Sequence, residues 1–311
     1  MDASRVPDSV GPFIRIAKQL RQLGFSAPEI LAQDRPNGLL LLEDFGDDTF
    51  ARLLENPAAA VSGNQPAERR ALLREFDDLF TRSDAPRSGL PPVDQLREQL
   101  FTLGTEVLIQ LHQQPQAAPA NLRAYHSEKM LEDIELFVQW RTPNVSAQGL
   151  EDFRAIWRAI LPLAHRVPES LLLRDYHLAN LMWLPQRNGI QRVGLLDFQD
   201  AYRGPVTYDL VSLLQDARRD VPTDLQERLV QRYLAAFPSL DRELFNTSLA
   251  ILAAQRHTRV LGIFERLARH EGKLDYRRQH SPRVERLLRQ ALQHPALAEV
   301  KNWMEFHAIT H

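Results

Sequence analysis

A central island, Leu171 to Asp200, breaks a chain that otherwise reads as helix, and it constrains the fold more than any other segment. It runs Leu171-Leu172-Leu173-Arg174-Asp175-Tyr176-His177-Leu178-Ala179-Asn180, then Leu181-Met182-Trp183-Leu184, a Pro185 to Gly189 turn, Arg192 to Leu196, and Asp197-Phe198-Gln199-Asp200. Short apolar runs bounded by turn residues are strands. Asn188-Gly189 is the strongest short-range hairpin signal, because both residues of such a turn need positive φ. Asn180 lies eight residues before Asn188 and Asp197 eight after Gly189. A symmetric antiparallel hairpin therefore sets Asn180 and Asp197 opposite one another, about 5 Å apart at Cα, although Pro185 can lengthen the turn and shift that register.

The open end of this hairpin gathers an amide, a carboxylate and, five residues upstream, a second carboxylate at Asp175. Such an oxygen set suits Mg²⁺, a hard ion that keeps several waters and takes one or two protein carboxylates beside substrate phosphates. Asp-x4-Asn followed by Asp-Phe is also the spacing of a kinase catalytic loop, in which the first Asp accepts a hydroxyl proton while Asn and the later Asp hold metal. On that pattern Asp175 is the catalytic base, and Asn180 and Asp197 hold Mg²⁺ bridging nucleotide phosphates. Any one of the three, taken alone, serves equally well as a turn or strand-end residue. Loop, hairpin and spacing together carry the assignment.

Around the island the periodicity is helical. Phe13, Ile16, Ala17, Leu20 and Leu23 predict a helix over Pro12 to Leu23, closed by Gly24. Glu29 to Gln33 and Leu39 to Leu42 read as a hairpin turning at Arg35-Pro36-Asn37-Gly38, after which Glu43-Asp44-Phe45-Gly46 ends the apolar run. A boundary is expected there, between a partial small domain at 1–45 and a helical domain at 46–311 that holds the catalytic loop and metal-binding hairpin. Val93, Leu96, Leu100, Leu103, Val107 and Leu111 form one core stripe, and Leu225 to Phe237, Leu244 to Leu267 and Val284 to Leu297 read as later helices. Pro/Ala/Ser/Gly-rich loops fall at Asn56 to Pro66, Ser83 to Pro92 and Gln113 to Pro119.

Several segments resemble the aminoglycoside-phosphotransferase-like kinases. They are Arg174-Asp175-Tyr176-His177-x-x-Asn180, Gly194-Leu195-Leu196-Asp197-Phe198-Gln199-Asp200, Tyr208-Asp209-Leu210, Gln255-Arg256-His257-x-Arg259 and Leu40-Leu41-Leu42-Glu43-Asp44-Phe45-Gly46-Asp47. They are most similar to the bacterial branch of anomeric amino-sugar kinases, which phosphorylate the C1 hydroxyl of N-acetylmuramic acid and N-acetylglucosamine in peptidoglycan recycling. The resemblance implies an α+β, protein-kinase-like two-lobe fold, with a small β lobe, a hinge and a large helical lobe, using ATP and Mg²⁺ on a sugar. It makes Glu43, Asp44 and Phe45 the hinge, whose main chain holds adenine, and it makes Arg174 and Asp209 structural supports of the catalytic loop. His177, Trp140 and Arg256 are weaker substrate candidates. A histidine packed on the loop accounts for His177 at least as well, an aromatic such as Trp140 in a helical stripe is more often core, and a solvated basic face accounts for Arg256 about equally well.

Two departures qualify the resemblance. Leu173 stands where the family usually has His. No Gly-rich phosphate loop precedes the hinge, so the small lobe is expected to be truncated, by a start at an internal Met or by a shortened gene. Aminoglycosides or other small alcohols remain alternative acceptors, and an inactive pseudokinase is the alternative to an enzyme.

Composition narrows the rest. Thirty-eight Lys and Arg against 40 Asp and Glu give a formal charge of -2, which lacks the basic field of a nucleic-acid or anionic-membrane binder. Without cysteine there is no disulfide, thiolate zinc site or cysteine nucleophile. No secretory segment or membrane-length apolar run is present, so a cytoplasmic location is expected. The chain also lacks H-E-x-x-H and G-x-S-x-G, which argues against zinc and serine hydrolase chemistry.

Overall fold

A computed structural model of the protein describes residues 10–55 and 93–307. The chain divides into two compact units. The first is Met1–Ala117 with Leu173–Ala201 and Glu227–Tyr233; the second is Ala118–Leu172 with Tyr202–Gln226 and Leu234–His311. The boundary expected after residue 45 falls inside the first unit.

In the first unit, α1 (Val10–Gln22) buries Phe13, Ile16, Ala17 and Leu20, the stripe read from sequence. Burying Phe13, Ile16 and Leu20 is worth about 1.5–3 kcal/mol each, which is what holds a short helix in place. Gly24 follows at φ 86°. Strands β1 (Ile30–Asp34) and β2 (Leu39–Leu42) form an antiparallel pair with Asp34 opposite Leu39. A polar segment then leads to α2 (Phe50–Glu55), and α3 (Val93–His112) buries Leu96, Leu100, Leu103, Val107 and Leu111. The hairpin β4 (Leu181–Trp183) and β5 (Val193–Leu195) completes the unit's strands. The loops expected at Asn56 to Pro66 and Ser83 to Pro92 lie outside the described residues, whereas Gln113 to Pro119 is a turn-rich connection.

The second unit is built around α8 (Arg242–His270), whose first turn is capped by the Asp241 carboxylate accepting from the Glu243 and Leu244 amides at 2.8 and 3.0 Å. Helices α4 (Ser127–Trp140), α5 (Ala147–Ala164), α6 (Thr207–Leu214) and α9 (Leu274–Ala291) pack on it. A Cβ on Gly262 would lie 2.6 Å from the Leu136 and Phe137 backbone, so only glycine lets α4 and α8 approach this closely. Strands β3 (Glu169–Leu172) and β6 (Tyr202–Pro205) pair antiparallel. Helix α7 (Thr223–Ala236) is shared between the units, and α10 (Ala298–His307) ends the described chain.

One helix boundary differs from expectation. Sequence places a helix over Val284 to Leu297, yet α9 starts at Leu274, runs through Pro282 and stops at Ala291. Burial of Ser281, Val284 and Leu288 outweighs the hydrogen bond that Pro282 removes. Pro295 then opens a separate turn.

Candidate active site

The hairpin register is one residue off the symmetric expectation. Leu181 faces Leu195, Met182 faces Gly194 and Trp183 faces Val193. The Leu196 amide donates to the Asn180 carbonyl at 3.0 Å, so Asn180 is opposite Leu196 rather than Asp197. The cause is the turn. Asn188 is extended at φ -113°, Gly189 takes φ 53°, and a short 3₁₀ turn over Gly189–Arg192 fills what a two-residue connection would have closed. Slipping a strand by one residue turns a side chain to the other face. Asp197 reverses that consequence by adopting φ 59°, in the left-handed region. Its carboxylate thereby stays within reach, and the Asn180 amide donates to Asp197 Oδ2 at 3.3 Å.

Asp197 and Arg174 (φ 69°) are the two non-glycine residues with positive φ among the described residues. Each costs about 1–3 kcal/mol, and both flank the same loop. Surrounding contacts hold that geometry. On one edge the Leu195 amide donates to Ser26 O and the Ser26 hydroxyl to Gln191 O, at 2.8 and 2.6 Å; on the other the Trp183 amide donates to Asp48 O at 2.8 Å. Tyr176, buried, donates to the Gly104 carbonyl of α3 at 2.7 Å, which anchors the loop beside Asp175. Phe198 stacks on Phe13 of α1 with ring centroids 4.8 Å apart, which pins the chain just after Asp197.

Asp175, Asn180 and Asp197 are thus brought together. The Asn180 amide also donates to the Asp175 carbonyl at 2.9 Å, and Gln199 Nε2 donates to Asp197 Oδ1 at 2.6 Å. Among the described residues neither Asp175 nor Asp197 forms an ion pair. Asp175 is half-buried and Asp197 exposed, and the Asn180 amide joins the Asp175 main chain to the Asp197 carboxylate.

These features agree with what the chain is similar to. A family profile described as the phosphotransferase enzyme family matches residues 1–244. The chain belongs to that family. The phosphotransferase is 35% identical over 300 residues to the N-acetylmuramate/N-acetylglucosamine kinase of Caulobacter vibrioides, covering 95% of this chain and 74% of that protein. It is 30% identical to the Pseudomonas aeruginosa kinase of the same name, with 96% and 79% covered. Among solved structures it resembles a choline/ethanolamine kinase family protein from Mesorhizobium loti, with TM-score 0.57 and 14% identity, covering 96% of this chain and 83% of that one. A macrolide 2'-phosphotransferase gives TM-score 0.52 and 15% identity, covering 90% and 80%. The fold is accordingly the α+β, kinase-like one.

The donor set of this phosphotransferase fits a hard cation. Asn180 spends its NH₂ on Asp175 O and Asp197 Oδ2, which leaves its Oδ1 as the amide's ligand atom. With Asp197 it offers two protein oxygens, the number a phosphate-bound Mg²⁺ takes. Among the described residues no group of three or more His, Asp or Glu is gathered as a cage. Glu43, Asp44 and Phe45 lie beyond β2, where the Asp44 carboxylate accepts from the Gly46 amide at 2.8 Å, so that side chain shapes the turn.

The other candidates sit elsewhere. His177 is 8% exposed, against the loop. In the second unit, Asp209 is 1% exposed in the first turn of α6, Arg256 is 4% exposed and donates to the Ser212 hydroxyl at 2.7 Å, and Trp140 meets the His270 ring edge-on at 6.1 Å. Sequence reasoning missed Tyr176, Gln199, Ser26 and Arg187 as site supports. Only Tyr176 and Gln199 carried a signal, through adjacency to the catalytic spacing.

Proposed function

We propose that the protein is an ATP-dependent kinase that moves the γ-phosphoryl group to the anomeric C1 hydroxyl of an amino sugar, N-acetylmuramic acid or N-acetylglucosamine, in cytoplasmic peptidoglycan recycling. The kinship with kinases of that name supports the acceptor. The observation that carries the chemistry is the uncompensated Asp175, Asn180 and Asp197 group in one strained loop and hairpin end.

In this reading Asp175 orients the acceptor hydroxyl and takes its proton as the hydroxyl oxygen bonds to the γ-phosphorus. The bond from that phosphorus to the β,γ-bridging oxygen breaks and ADP leaves. Asn180 and Asp197 would hold Mg²⁺, which when bound would neutralise charge on the phosphates. The residues 43–45 hold adenine through main-chain groups, with residues 1–45 acting as the small lobe and 46–311 as the helical one. Arg174 and Asp209 are proposed as structural supports. His177, Trp140 and Arg256 are proposed on the acceptor side.

ADP release with N-acetylglucosamine, N-acetylmuramic acid or kanamycin tests this. An acid-labile sugar phosphate is expected, as C1 transfer requires. Turnover on kanamycin alone would move the acceptor to the aminoglycosides. A folded protein without turnover on any of them would overturn the kinase reading.

A further inference from the structure

The loop between β4 and β5 carries a side chain that reaches the segment after β2. The Arg187 guanidinium pairs with the Glu43 carboxylate and lies over the Phe45 ring, 5.1 Å from its centroid. Both side chains are largely shielded, at 23% and 29% exposure, so the pair is less screened than a surface bridge. Arg187 is itself fixed: its amide donates to the Leu184 carbonyl at 3.1 Å, and its carbonyl accepts from Arg192 Nε at 2.9 Å.

Phe45 is also held from the hairpin side. A Cβ on Gly194 would come within 2.8 Å of the Phe45 ring, so the ring seats directly on β5. Glu43 is tied further by its second carboxylate oxygen, which accepts from the Glu29 amide at 3.1 Å and lies 3.5 Å from Arg21 of α1. Strand β5 ends at Leu195, and Asp197 follows two residues later.

We infer that Arg187 is a positioning residue for the nucleotide, locking residues 43–45 to the hairpin that presents Asn180 and Asp197. The inference rests on the proposed function, in which one end of the nucleotide meets residues 43–45 and its phosphates meet the hairpin. Arg187 contacts Glu43 and Phe45 from the β4–β5 loop, so it sets the distance between residues 43–45 and the hairpin. A planar guanidinium suits the task because one group forms an ion pair at its edge while stacking by its face on an aromatic ring.

ATP binding by calorimetry, together with steady-state kinetics at varied ATP and varied sugar, tests it. Arg187→Ala is expected to weaken ATP binding and raise the ATP KM by about 10-fold or more, with kcat and the sugar KM within about 3-fold. Arg187→Lys keeps the charge but not the stacked plane, so partial rescue is expected. Gly194→Ala should reproduce the ATP defect by displacing the Phe45 ring. Glu43→Gln combined with Arg187→Ala should cost little more than either alone, because both remove one interaction. Equal ATP affinity in the wild type and Arg187→Ala, or an unselective fall in kcat with all KM values, would overturn the positioning role. Should the wild type not bind ATP at all, the functional reading fails and this inference fails with it.

Discussion

Two carboxylate environments in this chain show how the proposed site differs from a structural network. Within the second unit, buried Asp133 accepts from the Tyr125 hydroxyl at 2.8 Å and pairs with Lys129 at 3.0 Å and Arg259 at 3.6 Å. Gln255 completes the network by donating to Tyr125 Oη and the Met130 carbonyl at 3.1 and 3.0 Å. All of it stands on regular helix or ordinary loop. Within the first unit, Asp175 and Asp197 have no cation beside them among the described residues, and the backbone that places them is strained at Arg174 and Asp197. Compensated charge on relaxed backbone stabilises a fold. Uncompensated charge on strained backbone costs stability and is kept where a ligand supplies the missing cation.

The comparison breaks first at Asp175. Replacing it by Asn should lower turnover by about 10²–10⁴-fold, the usual worth of a positioned base, while ATP binding stays intact. Full activity in Asp175→Asn would remove it from the chemistry.

Asp133→Ala is the matched opposite. Deleting one partner of a buried charged network costs about 3–5 kcal/mol, so the urea midpoint should fall sharply while kcat, measured where the variant is folded, stays put. A loss of kcat without a loss of stability would mean that this network also serves the reaction.

Asp197→Gly separates the two properties in a single residue. Glycine accepts φ 59° without strain, so the stability of the variant should hold or rise by about 1 kcal/mol. Removing a proposed metal ligand should at the same time cost about 100-fold or more in Mg²⁺-dependent turnover. A variant that is both less stable and fully active would invert the reading of this residue.

Legibility in the sequence followed the same divide. The α1 and α3 stripes, the β1–β2 pair and the spacing of Asp175 and Asn180 in the proposed site were all readable, because each depends on residues close in the chain. The hairpin register was not: Asn188-Gly189 is a strong local signal, but Pro185 and the 3₁₀ turn over Gly189–Arg192 override it. Nor was the positive φ at Asp197, which repairs the slipped register. Arg187 on Glu43 and Phe45, Tyr176 on Gly104, and Phe198 on Phe13 join residues far apart in sequence, and no local pattern announces them. Strand β6 escaped for a similar reason, since its partner β3 lies on the far side of the loop and the β4–β5 hairpin in sequence.

The last distinction is in pH dependence. In the buried region, His257 on α8 is wholly enclosed, with Nε2 2.7 Å from Gln215 Oε1; burial, aided by the neighbouring Arg256 charge, pushes its pKa down to about 3. The unfolded imidazole titrates near 6.5. Above that pH neither state is protonated and His257 contributes no pH dependence. As pH falls from 6.5 towards 3 the unfolded chain takes up a proton that the folded chain refuses, so stability is lost at up to about 1.4 kcal/mol per unit. By pH 5 that is about 2 kcal/mol. His257→Gln keeps a hydrogen-bonding group on α8 but cannot titrate, so its urea midpoint should be flatter between pH 7.5 and 5 than that of the wild type. Parallel curves would show that His257 is protonated, or opened to water, in the folded protein, and the contrast between a sealed helical core and an open carboxylate site would lose its sharpest edge.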